Sequence, residues 1–322
     1  MDRHTSRRGQ LAIAAAAVGY GVDTALSVAA LHGLRPADLL MIELGGSAAI
    51  LLAVAGATGK LRRQGAGRGL AQGAVLPGLS FLLGNLGLAR TTATSGALLL
   101  SVDTVATVLL AALILRERIG VAAGTAVGLG TVGTALVALY APDAGSTAVA
   151  GSETLGNLLV LASVIGSAGY VVWSRRTAEP DGEGDSIGRT AWQFLGAVLA
   201  VLPFIIGSWW TGGSRIATAD PGTLLAAAAV LFCGLGALLA FNIGIDAVSA
   251  SRAGLIFTLQ PLAGATTAIA VFGEPLVAGQ VAGGALILTG LLLLTRERPA
   301  NRRPDKPPKV TAATTTTGGK GV

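Results

Sequence analysis

Ten apolar stretches of roughly 20 residues, separated by short polar segments, dominate this chain. A helix of that length rises about 1.5 Å per residue and crosses a hydrocarbon core of about 30 Å. The chain is 52% hydrophobic and only 12% charged, whereas soluble domains carry about 25% charged residues. The sequence therefore predicts an all-α, polytopic membrane protein with ten transmembrane helices. We place them at 11–31, 37–58, 70–89, 94–115, 121–140, 154–174, 189–210, 221–245, 252–272 and 276–295.

The basic residues predict how the chain is oriented. With a cytoplasmic N-terminus and ten spans, 20 of the 23 Lys and Arg residues face the cytoplasm, and only Arg35, Arg90 and Arg215 face outward. Cytoplasmic loops of membrane proteins carry such an excess. We therefore expect a multi-pass protein of the cell membrane with both termini in the cytoplasm. The dispersed charge also argues against nucleic acid as a partner, since that would need one basic patch.

The second half of the chain repeats the first. Residues 85–137 align with 242–294 without gaps. The coinciding pairs include Asn85 with Asn242, Gly87 with Gly244, Glu117 with Glu274 and Gly133 with Gly290. Each repeat then holds five spans, and an odd number inverts the second copy in the membrane. Inverted repeats are a transporter architecture with the substrate site near the midplane.

The repeat divides the chain into five segments. We predict a cytoplasmic N-terminus (1–10), a first five-helix repeat (11–140), an external linker (141–153), a second five-helix repeat (154–295) and a disordered cytoplasmic tail (296–322). The tail is rich in Pro, Lys, Thr and Gly and has no apolar periodicity, which is typical of disorder.

The stretches that end the two repeats are "GALLLSVDTVATVLLAALILRERIGVAAGTAVGLGTVGTALVAL" and "AGLIFTLQPLAGATTAIAVFGEPLVAGQVAGGALILTGLLLL". Their small-residue start, polar-proline step, Gly-Glu turn and Gly-containing final helix resemble the EamA repeat of the drug/metabolite transporter superfamily. The resemblance covers nearly all of 11–295 and implies ten helices, cytoplasmic termini and export of small metabolites or drugs. The chain departs from the pattern at Asp103-Thr104, which replace a usual proline, at Gln260, often a glutamate, and at Glu43, near a frequent arginine.

Glu117 and Glu274 stand at the turns between the fourth and fifth spans of each half. A carboxylate there can accept backbone N–H bonds at the start of the following helix and complement its dipole. We therefore expect a structural role for both residues.

Asp23, Glu43 and Asp103 are acids that lie well inside predicted spans. A charged side chain at a helix centre costs about 2.5–3.5 kcal/mol on insertion scales, so it normally faces a cavity or a partner. The acids either line a central cavity, where they bind a cationic group or a coupling proton, or hydrogen-bond across helices and hold the bundle together. Tyr20, Thr24 and Ser27 accompany Asp23 on its helix, and Thr107 accompanies Asp103, as further cavity candidates.

Amides and a proline supply the remaining candidates. Asn85 and Asn242 occupy equivalent spans, where they either hydrogen-bond between helices or line the cavity. Pro261 has no N–H and should interrupt the ninth span, which is tolerated where freed backbone faces protein or a cavity. We expect Gln260, Pro261, Gly264 and Thr267 at the cavity.

The motifs point to transport without a cofactor, a metal or enzymatic chemistry. There is no G-x-x-x-x-G-K-[ST], H-E-x-x-H or G-x-S-x-G, and the only histidines are His4 and His32. We expect a secondary transporter of a small organic metabolite, amino acid or drug, working as an exporter by alternating access, with the proton as a candidate coupling ion. A non-transporting sensor or assembly protein, and a lipid or nucleotide-sugar carrier of the same superfamily, are the alternatives.

The expected partners are a small-molecule substrate and the lipid bilayer. The G-x-x-x-G-x-x-x-G motif at 120–128 is expected to serve close packing within the chain, with a homodimer as the second hypothesis. The aromatic content of 4% gives little support for an aromatic cage around a quaternary ammonium ligand.

Overall fold

The computed structural model describes residues 3–31, 33–88, 90, 99, 102–117, 119–140, 153–178, 186–272 and 277–296. Within these ranges every regular element is helical. The α-helices are α1 (Arg3–Leu31), α2 (Pro36–Leu40), α3 (Gly46–Ala57), α4 (Ala66–Gly73), α5 (Ser80–Leu88), α6 (Asp103–Ile114), α7 (Val121–Leu139), α8 (Glu153–Arg176), α9 (Ser186–Gly212), α10 (Pro221–Ile245), α11 (Ala250–Ile256), α12 (Leu259–Phe272) and α13 (Ala278–Arg296). The π-helical turns Met41–Gly45 and Ala74–Leu79 join α2 to α3 and α4 to α5.

Seven helical segments of the described residues are long and apolar enough to cross a membrane. They are Arg7–Leu31, Pro36–Ala57, Ala66–Gly87, Thr154–Arg176, Ser186–Gly212, Pro221–Ile245 and Ala250–Val271. Shorter apolar helices lie at Asp103–Ile114, Val121–Val137 and Ala278–Leu293. The chain is therefore an all-helical, multi-pass membrane protein, while ten spans remain a prediction. Glu274, the linker residues 141–152 and the tail residues 297–322 lie outside the described residues. Their roles stay predictions.

The ninth predicted span is interrupted, as Pro261 led us to expect. Helix α11 ends at Ile256 and α12 begins at Leu259. Pro261 has no N–H to donate to the carbonyl of Phe257 four residues earlier, and its ring crowds that carbonyl. The N–H of Gln260 donates to the Phe257 oxygen instead, at 2.9 Å.

Each half of the chain packs its first helix against the other half. Helix α1 lies along α10 and α12, and its counterpart α8 lies along α5 and α6. The last helices of the two halves, α7 and α13, pack against each other. If each helix is replaced by its counterpart in the other half, the same set of contacts is obtained. We call this the exchange symmetry of the packing.

Glycines that coincide in the repeat lie at equivalent places in this packing. A Cβ atom on Gly87 would lie 2.8 Å from the backbone nitrogen of Val160 in α8, and one on Gly244 would lie 2.7 Å from the carbonyl oxygen of Gly9 in α1. Both distances are too short for a real side chain. The helices approach backbone to backbone, which small residues permit in membranes.

The α7–α13 contact follows the same rule. A Cβ on Gly133 would lie 2.6 Å from the Gly283 carbonyl oxygen, and one on Gly290 would lie 3.0 Å from the Ala126 carbonyl oxygen. Gly133 and Gly290 coincide in the repeat, and Ala126 coincides with Gly283, so the two contacts are equivalent.

Two glycines of the motif at 120–128, Gly124 and Gly128, do not serve packing within the described part of the chain. Gly124 and Gly128 are exposed, and no described atom lies within 4 Å of a Cβ built on either. Our expectation of intramolecular packing is wrong for these two glycines, because α7 meets α13 through Gly133 instead. The homodimer hypothesis finds no support.

Glu117 joins the two halves. Its carboxylate accepts the backbone N–H groups of Ala250 at 3.1 Å and Ser251 at 3.0 Å, and the Ser251 hydroxyl at 2.6 Å. These donors belong to the free N–H groups at the start of α11. The carboxylate therefore caps a helix, as we expected, but that helix is α11 of the opposite half and not α7. Arg116, with a left-handed backbone (φ 54°), turns the chain just before it.

Replacing Glu117 with alanine should lower the stability of the protein, because three hydrogen bonds at the start of α11 are lost together. We expect a loss of about 1–2 kcal/mol, the range of helix caps. Thermal unfolding in detergent measures the effect, and a double-mutant cycle with Ser251→Ala isolates the contact between the halves. Additive effects of the two substitutions would contradict the assignment.

Candidate functional site

Two of the three acids that lie well inside predicted spans meet in the interior. Asp23 on α1 is 6% exposed, and Glu43 on the π-helical turn before α3 is 5% exposed. From the position of a Cβ built on Gly234 of α10, Glu43 Oε1 lies 2.9 Å and Asp23 Oδ1 lies 3.5 Å away. The two oxygens are therefore no farther apart than the sum of these distances. We call Asp23 and Glu43 the acid pair.

The acid pair lies deep along its helices. Asp23 is eight residues before the end of α1, and Glu43 is seven residues after the start of α2. At about 1.5 Å per residue, both lie about 10–12 Å from the end of the bundle where α1 ends and α2 begins. Gly234 belongs to the second half of the chain, so both halves form the site.

Two polar atoms at the acid pair lack hydrogen-bond partners among the described residues. Asp23 Oδ1 and the Tyr20 hydroxyl are buried with no hydrogen-bond partner among the described residues. No described Lys or Arg forms an ion pair with either acid. Tyr20 lies one helical turn before Asp23 on α1, so the two side chains share a face of that helix. An unsatisfied buried polar group destabilises a folded protein by about 1–3 kcal/mol. A ligand that donates hydrogen bonds to these oxygens would remove that destabilisation.

A ring cluster adjoins the acid pair and is formed by Tyr20, Phe81, Tyr170, Phe241 and Phe257. The ring centroids lie 6.2 Å apart for Tyr20 and Phe81, and 6.2 Å apart for Tyr20 and Phe257. Phe241 lies 5.9 Å from Phe257 and 5.4 Å from Tyr170. Since Tyr20 belongs to the cluster and lies one helical turn from Asp23, the rings and the carboxyls border one another.

Asp103 and Thr107 lie at helix contacts on α6. Ser167 of α8 hydrogen-bonds to the Asp103 carboxyl, whose Oδ1 has no partner among the described residues. The Thr107 Cγ2 atom lies 2.8 Å from the position of a Cβ on Gly254. Thr107 is therefore buried against α11 and does not face an open space.

Two further cavity candidates lie on exposed faces of their helices. Thr24 is exposed, and its hydroxyl donates to the Tyr20 carbonyl of its own helix at 2.7 Å; it lies about 100° around α1 from Asp23. Asn85 is also exposed, because α5 packs on α8 through Gly84 and Gly87, which lie on another face. Ser27, one turn after Asp23, is half-buried.

The residues around Pro261 hold α1 in place beside the acid pair. A Cβ on Gly264 would lie 3.3 Å from the Gly21 carbonyl oxygen, and one on Gly21 would collide with the Gln260 carbonyl. Thr267 donates to the Ala263 carbonyl of its own helix at 2.8 Å. Gln260 and Gly264 therefore pack against α1 at Gly21, two positions from Asp23, and contribute a helix contact.

A charged network closes the end of the bundle where α8 ends and α9 begins. Arg189 Nη2 pairs with Asp246 Oδ2 at 3.1 Å and also donates to the Asn242 carbonyl. Arg175 Nη1 donates to the carbonyls of Ile245 at 3.0 Å and Asp246 at 2.6 Å. We call this the Arg189 end.

Amides extend this network toward the first half of the chain. Asn242 Nδ2 donates to Thr190 Oγ1 at 2.8 Å and to Gln193 Oε1 at 2.6 Å. Gln193 Nε2 donates to Gln72 Oε1 at 3.1 Å, and Gln72 Nε2 donates to Thr177 Oγ1 at 3.1 Å. Asn242 thus makes interhelical hydrogen bonds, one of its two predicted roles.

A single carboxylate joins the helices at the opposite end. Asp38, which is fully buried, accepts hydrogen bonds from Trp209 Nε1 at 2.8 Å, Ser214 Oγ at 2.7 Å and the Arg215 N–H at 3.0 Å. The Arg35 N–H donates to it at 3.3 Å. We call this the Asp38 end. Sequence reasoning missed Asp38, although Pro at the first and Asp at the third position of a helix are a start signal.

Tyr170 was also missed. Its signal is a second internal match, since Gly19-Tyr20-x-Val22 recurs as Gly169-Tyr170-x-Val172. The two tyrosines are therefore counterparts in the two halves.

An open groove of about 240 Å³ lies elsewhere on the surface and contains none of the acids. It is lined by Arg7, Gln10, Leu11, Ala14, Ile256, Leu259 and Leu291.

The fold and the acid pair define a multi-pass helical membrane protein with a polar site between two halves. A family model described as "EamA-like transporter family" matches residues 7–139 and 154–296. The chain belongs to this family, and it is a membrane transporter. One solved structure, described only as the crystal structure of a protein, aligns with 89% of this chain and 96% of its own at 20% identity and a TM-score of 0.67, which shows the shared fold. Comparison with curated proteins gave no match.

Replacing Asp246 with asparagine should destabilise the Arg189 end, because the Arg189 guanidinium, 22% exposed, loses its ion partner. Breaking a fully buried pair costs about 3–5 kcal/mol, and the partial exposure of Arg189 reduces this to about 2 kcal/mol. The measurement is thermal unfolding in detergent. Arg176→Gln, at an exposed arginine of the same helix as Arg175, is the control and should change little; equal effects would contradict the prediction.

Replacing Gly234 with alanine should impair the site, because the new methyl group would meet Glu43 Oε1 at 2.9 Å and displace that carboxyl. Gly236→Ala on the same helix is the matched control, since no described atom lies within 4 Å of its Cβ position. Transport should fall severalfold in the first variant only, with both folding normally by size-exclusion chromatography. Unchanged transport in Gly234→Ala would show that the acid pair tolerates displacement.

Proposed function

We propose that this protein is a secondary transporter that exports a small organic molecule by alternating access, and that the acid pair binds its substrate or a coupling proton. One observation carries the proposal: two carboxyls and a tyrosine hydroxyl are buried at membrane depth without a basic partner. Ionisable residues at such depth normally mark a substrate or ion pathway. Acids that only held the bundle together would have described donors, as Asp38 and Glu117 do.

The exchange symmetry of the packing supports alternating access. Contacts of α1 with α10 and α12 match those of α8 with α5 and α6, and the glycine contacts at Gly87 and Gly244 are equivalent. In an inverted repeat, such equivalence lets each half adopt the conformation of the other. The site is then open to one side of the membrane and afterwards to the other. The inverted arrangement of five plus five spans is part of this proposal.

The two ends offer a closing contact for each side. The Arg189 end joins α4, α8, α9 and α10 through charged and amide groups, and the Asp38 end joins the start of α2 to the loop after α9. Opening a path on one side requires its contact to separate. By the distribution of Lys and Arg, the Arg189 end faces the cytoplasm of a cell-membrane protein whose termini are both cytoplasmic.

Two alternative functions fit the acid pair and the symmetric halves less well. A non-transporting sensor or assembly protein has no use for two interchangeable halves. A lipid or nucleotide-sugar carrier would bind phosphate, and two unpaired carboxyls repel an anion. The acid pair therefore favours a substrate with a positive charge.

Uptake into proteoliposomes tests the proposal. Radiolabelled amines, amino acids and cationic drugs are supplied as a pool, with and without an imposed pH gradient. Asp23→Asn and Glu43→Gln should each reduce flux at least tenfold, because each removes the charge while keeping the shape. Asp220→Asn is the control: Asp220 is an exposed N-cap of α10 whose pKa is lowered by hydrogen bonds from Thr223, and its amide keeps the acceptor. Full flux in both acid-pair variants would refute the proposal.

The pH gradient in the same assay identifies the coupling ion. A coupled proton predicts flux that rises with the gradient in the wild-type protein and does not respond in Asp23→Asn. Flux that ignores the gradient would make the protein a facilitator and exclude the proton.

A further inference from the structure

The aromatic residues of this chain are few but concentrated. There are seven Phe, three Tyr and four Trp residues, and five of these fourteen form the ring cluster beside the acid pair. The low aromatic content gave no reason to expect this. Tyr20 and Phe81 come from the first half, whereas Tyr170, Phe241 and Phe257 come from the second. The rings therefore surround the same boundary between halves as the carboxyls.

The oxygen atoms beside the ring cluster match the hydrogen-bond donors of a primary ammonium group. Asp23 Oδ1 and Glu43 Oε1 both lie beside Gly234, and Tyr20 lies one helical turn from Asp23 on α1; Asp23 Oδ1 and the Tyr20 hydroxyl have no described partner. A primary ammonium group has three N–H donors and a full positive charge. Among the described residues, no group of three His, Cys, Asp or Glu side chains comes together, so a metal ion would lack the ligands it needs.

We propose that this site binds a primary organic amine that carries an aromatic ring, with its ammonium on the acid pair and its ring on the ring cluster. A cation near aromatic faces is attracted by their negative centres, and an aromatic body packs against them edge to face or offset. The inference names the substrate class of the transporter proposed above and rests on that proposal. A plain amine would use only the carboxyls, and a neutral aromatic compound would use only the rings.

Binding of tritiated tryptamine to the full-length protein in detergent tests the inference without requiring transport. Three unlabelled competitors dissect the site: tryptophol keeps the ring and loses the charge, propylamine keeps the charge and loses the ring, and tryptophan adds a carboxylate that the acid pair should repel. Each should compete at least tenfold more weakly than tryptamine. Equal competition by any one of the three, or no tryptamine binding at all, would overturn the inference.

Variants locate the binding within the molecule. Asp23→Asn should weaken tryptamine binding at least tenfold, and Phe257→Leu, at a half-buried ring, should weaken it severalfold. Phe232→Leu, whose ring is 63% exposed on α10, is the matched control and should bind as the wild type does. Equal binding by Phe257→Leu and Phe232→Leu would remove the ring cluster from the site. The competitor series uses only wild-type protein, so a variant that misfolds leaves that test intact.

The two proposals fail separately. Tryptamine binding without flux of any solute would contradict transport and leave the amine site standing. Gradient-driven flux of other solutes without tryptamine binding would leave transport standing and overturn the amine site.

Discussion

The two halves of this protein touch backbone to backbone at glycines, and the rest of the structure depends on that approach. In a membrane, the lipid is as apolar as the helix surfaces, so helices associate through close packing and hydrogen bonds more than through the hydrophobic effect. Gly87 against Val160 and Gly244 against Gly9 provide that packing at equivalent positions. A side chain at any of these contacts would push α1 or α8 outward. Because α1 carries Asp23 and Tyr20, the glycine contacts also determine where the acid pair lies.

Polar groups follow a consistent distribution around this packed frame. At the two ends, polar groups are joined by several hydrogen bonds: Asp38 has four donors, and Arg189 has an ion partner and a carbonyl, although its Nε has no partner among the described residues. At the centre, Asp23 and Tyr20 retain atoms without described partners. A protein that needed these acids only for stability would gain by pairing them, since breaking such pairs is costly. Asp38, whose carboxylate has four donors, is therefore a structural group, whereas the acid pair, which has no basic partner among the described residues, is the candidate site.

Sequence reasoning predicted the elements well and their side-chain neighbours only in part. Apolar run length places α10 at the predicted residues, 221–245, and the missing N–H of Pro261 explains the break in the ninth span. Both are local properties. The exposure of Thr24 and Asn85 was not predicted, because polarity inside a span does not reveal which way a helix face points. Glu117 was given the right role with the wrong helix, because its partner lies 133 residues away in sequence.

The ring cluster shows the same limit most clearly. Its members come from five separate parts of the chain, so composition could not predict that they would meet. A weak signal existed in the repeated Gly-Tyr-x-Val, which makes Tyr20 and Tyr170 counterparts. Asp23, however, has Trp173 as its counterpart, so the two halves share the tyrosine and not the acid. In the function that we propose, the symmetric frame allows alternation between two conformations, while the asymmetric acid pair gives the proposed substrate site its charge. In the transport cycle that we propose, movement of the second half relative to the first would change the distance between Gly234 and both carboxyls, and occupancy of the site would then be coupled to the conformation of the bundle.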